Sequence, residues 1–308
     1  MHILGISCFY HDAAACLLRD GELVAAAEEE RFTRRKHDSG FPARAVRYCL
    51  QAGGITADDL DYVVFYEKPL LKFERILSSY AATFPRSRRA FVRAMQTWLG
   101  EKLWLRGHIR KQLAYDGPIL FGEHHVSHAA SAYFPSPFDH AAIVTADGVG
   151  EWCSTTLGVA NGLDLELTHE LRFPHSLGLL YSAFTAYLGF EVNEGEYKVM
   201  GMAAYGRPRY VDQVRRLLQL ADDGSFHLDM RYLAYHHSLH SFSRAFVELF
   251  GPPRSPDAGL EERCADIAAS IQVVTEEAML GLARQARALS GSQNLCMAGG
   301  VALNVLAN

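Results

Sequence analysis

Residues 141–171 read AAIVTADGVGEWCSTTLGVANGLDLELTHEL, and residues 2–28 read HILGISCFYHDAAACLLRDGELVAAAE. Each stretch opens with a short apolar run, crosses a turn, and continues as two further apolar runs joined by a tight connection. In the later stretch the runs are 141–146, 152–159 and 163–171, with Asn161-Gly162 between the last two. Asn-Gly suits a two-residue hairpin because both central positions take positive φ. In the earlier stretch the runs are 2–7, 13–18 and 23–28, and Arg19-Asp20-Gly21 makes the hairpin turn. A chain that starts the same β-β-β unit twice is expected to build two related lobes.

Working outward, Pro42 stands where a helix over 43–52 starts, Gly53-Gly54 stops it, and 62–66 is expected as a buried strand. Helical period and many basic residues run through 85–112, where Arg86, Arg88, Arg89, Arg93, Arg106, Arg110 and Lys111 read as a solvated face or as steering charge for an anion. A strand at 118–121 and a helix at 124–133 precede the second opening unit. After it come helices at 177–188, 211–220, 241–250 and 260–289, and a late strand at 294–297. This duplicated β-β-β-α-β-α layout resembles the α/β actin, sugar-kinase and heat-shock ATPase superfamily, whose ligand sits between lobes; fold alone does not assign a function. The expected lobes are 1–138 and 139–308, the second incomplete, since such a lobe needs strands and helices beyond Asn308.

Composition narrows the function classes. The 308 residues are 49% hydrophobic and 21% charged, ordinary globular usage. A net charge of −5 and a pI near 6.3 argue against a general nucleic-acid binder, which needs a concentrated positive field. The six cysteines include no CxxC pair and several lie in apolar runs, as reduced thiols in a core do. No stretch reaches the ~20 apolar residues of a membrane span, and the N-terminus lacks a signal-peptide pattern. A cytoplasmic protein without membrane or nucleic-acid partners is expected.

Chemistry concentrates in four places. In GEHHVSHAASAY, His124 and His128 stand i, i+4 on one helix face, close enough to share a metal, while His125 points elsewhere. Asp147, at a strand end and followed by glycine, offers a hard oxygen ligand. The HExxH of zinc proteases has its general base where this chain has His125, so protease chemistry lacks its base. Two imidazoles and a carboxylate suit Fe(II), Zn or Mn, and an open position could polarise a carbonyl. His11, in the turn after the first strand, is a candidate general base toward a hydroxyl. Lys36, in the charged run 28–37, is a candidate anion contact. Finally, 194–201 reads as a charged connection between helices. Ala298-Gly299-Gly300-Val301-Ala302-Leu303-Asn304 reads as backbone N–H groups at a helix N-terminus, a cradle for phosphate or an acyl-adenylate through Gly299, Gly300 and Asn304. Tyr10, Gly148, Glu196 and Lys198 complete the candidate set as substrate-binding residues.

The strings FYHDAAACLL, AAAEEERFTRRKH, HHVSHAASAYFPSPF, TADGVGEW, NEGEYKVMGMAAYG and MAGGVALNVLAN together resemble the NodU/CmcH family of O-carbamoyltransferases, over nearly the whole chain. The resemblance implies transfer of a carbamoyl group from carbamoyl-adenylate to a hydroxyl of a small molecule or saccharide. A separate C-terminal YrdC-like domain would make the adenylate from carbamoyl phosphate and ATP. It implies that His124, His128 and Asp147 are iron ligands, His11 the catalytic histidine, Lys36 a contact of the adenylate, and Gly300 and Asn304 its cradle. The family's fourth ligand, a late aspartate, and the YrdC-like domain fall beyond Asn308, so the isolated chain is expected to be inactive in the complete reaction. Competing readings are an ATP-binding module without transferase chemistry and a sugar or acetate kinase of the same superfamily. A kinase has no need of the histidine pair.

Overall fold

The computed structural model describes residues 1–100 and 102–308, which divide into two compact units, Met1–Glu74 with Val92–His124 and Arg75–Phe91 with His125–Asn308. The expected 138/139 boundary falls inside the second unit.

The first unit is built on strands β1 (His2–Ser7), β2 (Ala14–Arg19), β3 (Glu22–Glu28), β4 (Tyr62–Phe65) and β5 (Ile119–Phe121), in the order β3-β2-β1-β4-β5. The two hairpin pairings are antiparallel, while β4 pairs parallel to both β1 and β5. Period-2 alternation sends Leu4 and Ile6 of β1 to the same core as Leu17, Val63, Phe65 and Ile119. Helix α1 (Glu30–Thr33) is a single turn; α2 (Ala43–Gly53) ends on Gly54 in the left-handed region at φ 66°. Against the sheet face lie Ala45, Val46 and Cys49 of α2 and Leu105, Ile109 and Leu113 of α5 (Leu105–Leu113). The basic stretch is therefore not one helix: α4 (Arg88–Gly100) and α5 are separate, with a 3-10 turn Lys102–Trp104 before α5. On α5 the i, i+4, i+8 leucine and isoleucine positions are buried and Arg106, Arg110 and Lys111 face water, the solvated-face arrangement. The sequence reading did not anticipate α3 (Pro69–Ala82), which opens on a proline.

The second unit holds most of α6 (His124–Tyr133), whose first residue, His124, is counted with the first. Strands β6 (His140–Ala146), β7 (Cys153–Asn161) and β8 (Asp164–Arg172) follow as two antiparallel pairings; late β11 (Leu295–Ala298) joins β6 in parallel, giving the order β11-β6-β7-β8. Strand for strand, β8-β7-β6-β11 repeats β3-β2-β1-β4, with a parallel fourth strand each time. This is the duplicated α/β layout expected from the two recurring stretches of sequence.

Both faces of the second sheet are covered, which explains why β6 is a near-continuous apolar run buried from Ala141 to Ala146. Ala141, Ile143 and Ala160 pack with Ala129 and Tyr133 of α6. Ala142, Val144, Ala146 and Leu157 pack in the larger core with α7 (Leu177–Tyr187), α8 (Glu196–Ala203), α9 (Val211–Leu217), α10 (Arg244–Phe250) and α11 (Glu262–Ser290). Three expectations need correction. The 194–201 stretch is no connection, because α8 begins at Glu196. The helix at 211–220 ends at Leu217, where the chain turns extended to pair β9 (Leu218–Leu220) with β10 (Phe226–Leu228). The residues after Gly299 form a four-residue 3-10 turn, Gly300–Leu303.

Candidate metal and catalytic site

Helix α6 puts His124 and His128 one turn apart, and their ligand atoms lie with one of Asp147 all within 4.8 Å of one another. His128 Nε2 is 3.5 Å from Asp147 Oδ2. Asp147 reaches this position from the end of β6, fixed by its N–H donating to the Ser154 carbonyl at 2.9 Å. Its Oδ1 accepts from the Gly300 N–H at 3.0 Å, so one carboxylate oxygen is held while the other faces His128. The turn is tightly enclosed. A Cβ at Gly299, whose φ is 99°, would lie 2.3 Å from the Ala146 carbonyl oxygen, and one at Gly178 would lie 2.7 Å from the Asp147 carbonyl. Buried Ser176 donates to the Asp147 and Gly148 carbonyls at 3.1 and 2.6 Å and caps α7 by accepting the Leu179 N–H at 3.0 Å. Two imidazole nitrogens and a carboxylate oxygen at this spacing fit a divalent transition metal, which these three residues would hold.

His125, as expected, belongs elsewhere. Its Nε2 donates to the Cys153 carbonyl at 2.8 Å, which leaves Nδ1 to accept from the Thr145 hydroxyl at 2.5 Å; Thr145 in turn meets Thr156 at 2.6 Å. It ties α6 to the strands.

In the first unit, His11 Nδ1 meets Asp12 Oδ2 at 2.6 Å, and His37 Nδ1 meets the other oxygen, Oδ1, at 3.0 Å. Partial burial raises the Asp12 carboxyl, but the hydrogen bonds and charge of His11 and His37 outweigh it and hold it below the usual carboxylate range. With Nδ1–H directed to Asp12, Nε2 of His11 is the ring's acceptor. The Tyr10 ring packs against the His11 ring at 4.5 Å with the planes tilted by 51°, and Lys72 Nζ lies 5.0 Å from the Tyr10 ring centre. Lys36 is exposed on the turn beside His37. Cys8, next to this loop, is not a nucleophile: burial, then the negative Glu67, pushes its thiol up to about 12.

The other candidates are placed less openly. Asn304 and Gln272 exchange amide hydrogen bonds at 2.9 and 3.0 Å, and Gln272 also accepts from Tyr181 at 3.1 Å. The Gly300 N–H is directed at Asp147 rather than outward. Glu196 accepts from Ser182 at 2.7 Å and from the Asn193 N–H at 3.1 Å, bracing the start of α8, while Lys198 is exposed beside the Phe190 and Tyr197 rings. Gly148 sits in the Asp147 turn. Residues the sequence reading missed are Asp12, His37, Glu67, Lys72, Ser176 and Gln272. Only Asp12 carried a signal, its adjacency to His11.

The family model described as carbamoyltransferase N-terminus matches residues 2–308. The chain belongs to that family. Among relatives of this carbamoyltransferase N-terminal chain, an uncharacterised protein of Synechocystis sp. is 55% identical, covering 100% of this chain and 52% of the relative. The nodulation protein NolNO of Sinorhizobium fredii is 32% identical over 97% of this chain and 42% of its own length. The carbamoyltransferase N-terminal chain thus spans about half the length of the curated relatives it matches. Among solved structures, component A of the Acidaminococcus fermentans (R)-2-hydroxyglutaryl-CoA dehydratase is 14% identical, with a TM-score of 0.46 over 100% of this chain and 86% of the other. HypF of T. kodakarensis is 13% identical, with a TM-score of 0.43 over 99% of this chain and 42% of the other. Among the described residues no helix is long and apolar enough to cross a membrane.

Proposed function

We propose that this chain is the transfer half of an O-carbamoyltransferase, moving a carbamoyl group from carbamoyl-adenylate to a hydroxyl of a small molecule or saccharide. The carbamoyl-adenylate would be made from carbamoyl phosphate and ATP. The observation that carries the reading is the His124, His128 and Asp147 cluster in a chain of the carbamoyltransferase family, because a phosphoryl-transferring relative of the same fold has no use for such ligands. An ion held there, Fe(II) or alternatively Zn or Mn, supplies Lewis acidity toward the oxygen that gains charge as the carbonyl is attacked.

The remaining steps fall to side chains. His11, oriented through Nδ1 by Asp12, takes the acceptor hydroxyl proton on Nε2 as the new oxygen–carbon bond forms. Asp12, held ionised by His37, stabilises the resulting imidazolium. The bond from the carbamoyl carbon to the adenylate oxygen then breaks, and AMP leaves as an anion. Lys36 is assigned to the negative charge of the adenylate, and Gly299, Gly300 and Asn304 to its cradle, which requires the Gly300 N–H to exchange Asp147, and the Asn304 amide Gln272, for ligand. Tyr10, Gly148, Glu196 and Lys198 are assigned to the acceptor side.

Anaerobic metal analysis of the purified chain tests the reading. Near-stoichiometric metal in the wild type, lost in His124→Ala and Asp147→Ala, supports it. A folded wild-type chain that stays metal-free on its own and in the full-length protein sinks it. In the full-length protein, AMP release should require carbamoyl phosphate, ATP and an acceptor together.

A further inference from the structure

Two charged side chains that the proposed reaction does not use are among the most buried in the first unit. Glu67 and Lys72 are each 8% exposed, and Lys72 Nζ lies 2.6 Å from Glu67 Oε2. Glu67 follows β4 by two residues and Lys72 sits in the first turn of α3, so the pair closes the loop between strand and helix. Removing two ions from water costs several kcal/mol each, and a buried ion pair does not repay this more than apolar side chains of like volume would. Stability alone gives the pair no reason to exist.

Its surroundings do. The same Glu67 Oε2 that accepts from Lys72 is 3.7 Å from Nδ1 of His124, a residue only 6% exposed whose ring also packs 5.5 Å from Tyr66. On its far side, Lys72 lies over the Tyr10 ring, beside His11.

We propose that Glu67 and Lys72 are positioning residues of the metal centre: Glu67 orients His124 through Nδ1–H, and Lys72, 2.6 Å from the same carboxylate oxygen, holds Glu67 in place. A histidine that ligates through one ring nitrogen donates its other N–H to a carboxylate, which fixes the tautomer and raises the basicity of the ligating nitrogen. The inference rests on the reading of His124 as a ligand.

Titration of the chain with Co(II), followed by its visible spectrum and by competition with a chelator, tests this together with nitrogen-resolved NMR of the histidine rings without metal. Glu67→Gln should weaken Co(II) binding by about 10–100-fold and shift the His124 tautomer signal, with a native circular dichroism spectrum. Should Glu67→Gln misfold around an unpaired Lys72, the neutral double variant Glu67→Gln/Lys72→Met provides the same readouts in a fold without buried charge. Co(II) affinity within twofold of wild type in a folded variant, with His124→Ala abolishing binding, overturns the proposal and leaves the metal reading standing. A wild-type protein that takes up no Co(II) either as this chain or at full length overturns both. A changed coordination spectrum at unchanged affinity overturns it as well, since Glu67 would then be a ligand itself.

Discussion

Asp12 carries two imidazoles on one carboxylate, and the stability it contributes has a definite sign with pH. Its folded carboxyl is held below the usual range, so the contribution is present above the ordinary carboxylate pKa and is lost as pH falls through the depressed value. Thermal melts across the acid range should therefore show a steeper fall for wild type than for Asp12→Asn, and parallel profiles would contradict the pairing. Replacing the neighbouring base has a kinetic signature instead. His11→Ala in the full-length protein should lower turnover by about 10²–10⁴-fold with metal content unchanged. How much of this was legible differs by residue. His124, His128 and His11 announced themselves because their spacing or position in a turn is a local property. Asp12 with His37 spans 25 residues, and Glu67 with His124 joins a strand end to a helix start. No periodicity marks a pair created only when β4 and β5 register.

At the scale of elements, the turn after β6 is held by pieces from three others. Ser176→Ala removes the α7 cap and leaves two carbonyls without their donor. It should cost about 1–3 kcal/mol in urea unfolding and weaken metal binding, since the Asp147 backbone loses its tether. Gly178→Ala should lower both stability and metal affinity, because the added methyl meets the Asp147–Gly148 peptide at 2.7 Å and the backbone must shift. An unchanged Co(II) affinity in Gly178→Ala would show that the turn can yield. The same scale shows where pattern reading overran. Leu217, Leu218 and Leu220 continue an apolar run, yet pairing with β10 converts its end to strand; Glu194-Gly195 looked like a break but introduces α8. Tertiary pairing overrides a weak local preference.

For the whole molecule, the duplicated opening was readable because hairpin turns and apolar runs recur in order, whereas the long α11 packing over the second sheet was readable only as a helix, not by what it covers. That core centres on aromatic rings: Phe184 and Phe246 stand 4.9 Å apart and Tyr187 and Phe246 5.1 Å apart. Phe246→Ala should cost about 3–5 kcal/mol, measured by denaturant melts. The hydrogen bond from Gly300 to Asp147 spans 153 residues, and it exists only once β11 has docked parallel to β6. Contacts so distant along the chain form late, because loop closure must precede them. On a ribosome adding about 5–20 residues per second, Asp147 emerges roughly 8–30 s before its Gly300 partner. Metal captured by a nascent chain should thus be held loosely until synthesis passes β11, so that tight retention marks the end of folding rather than its beginning.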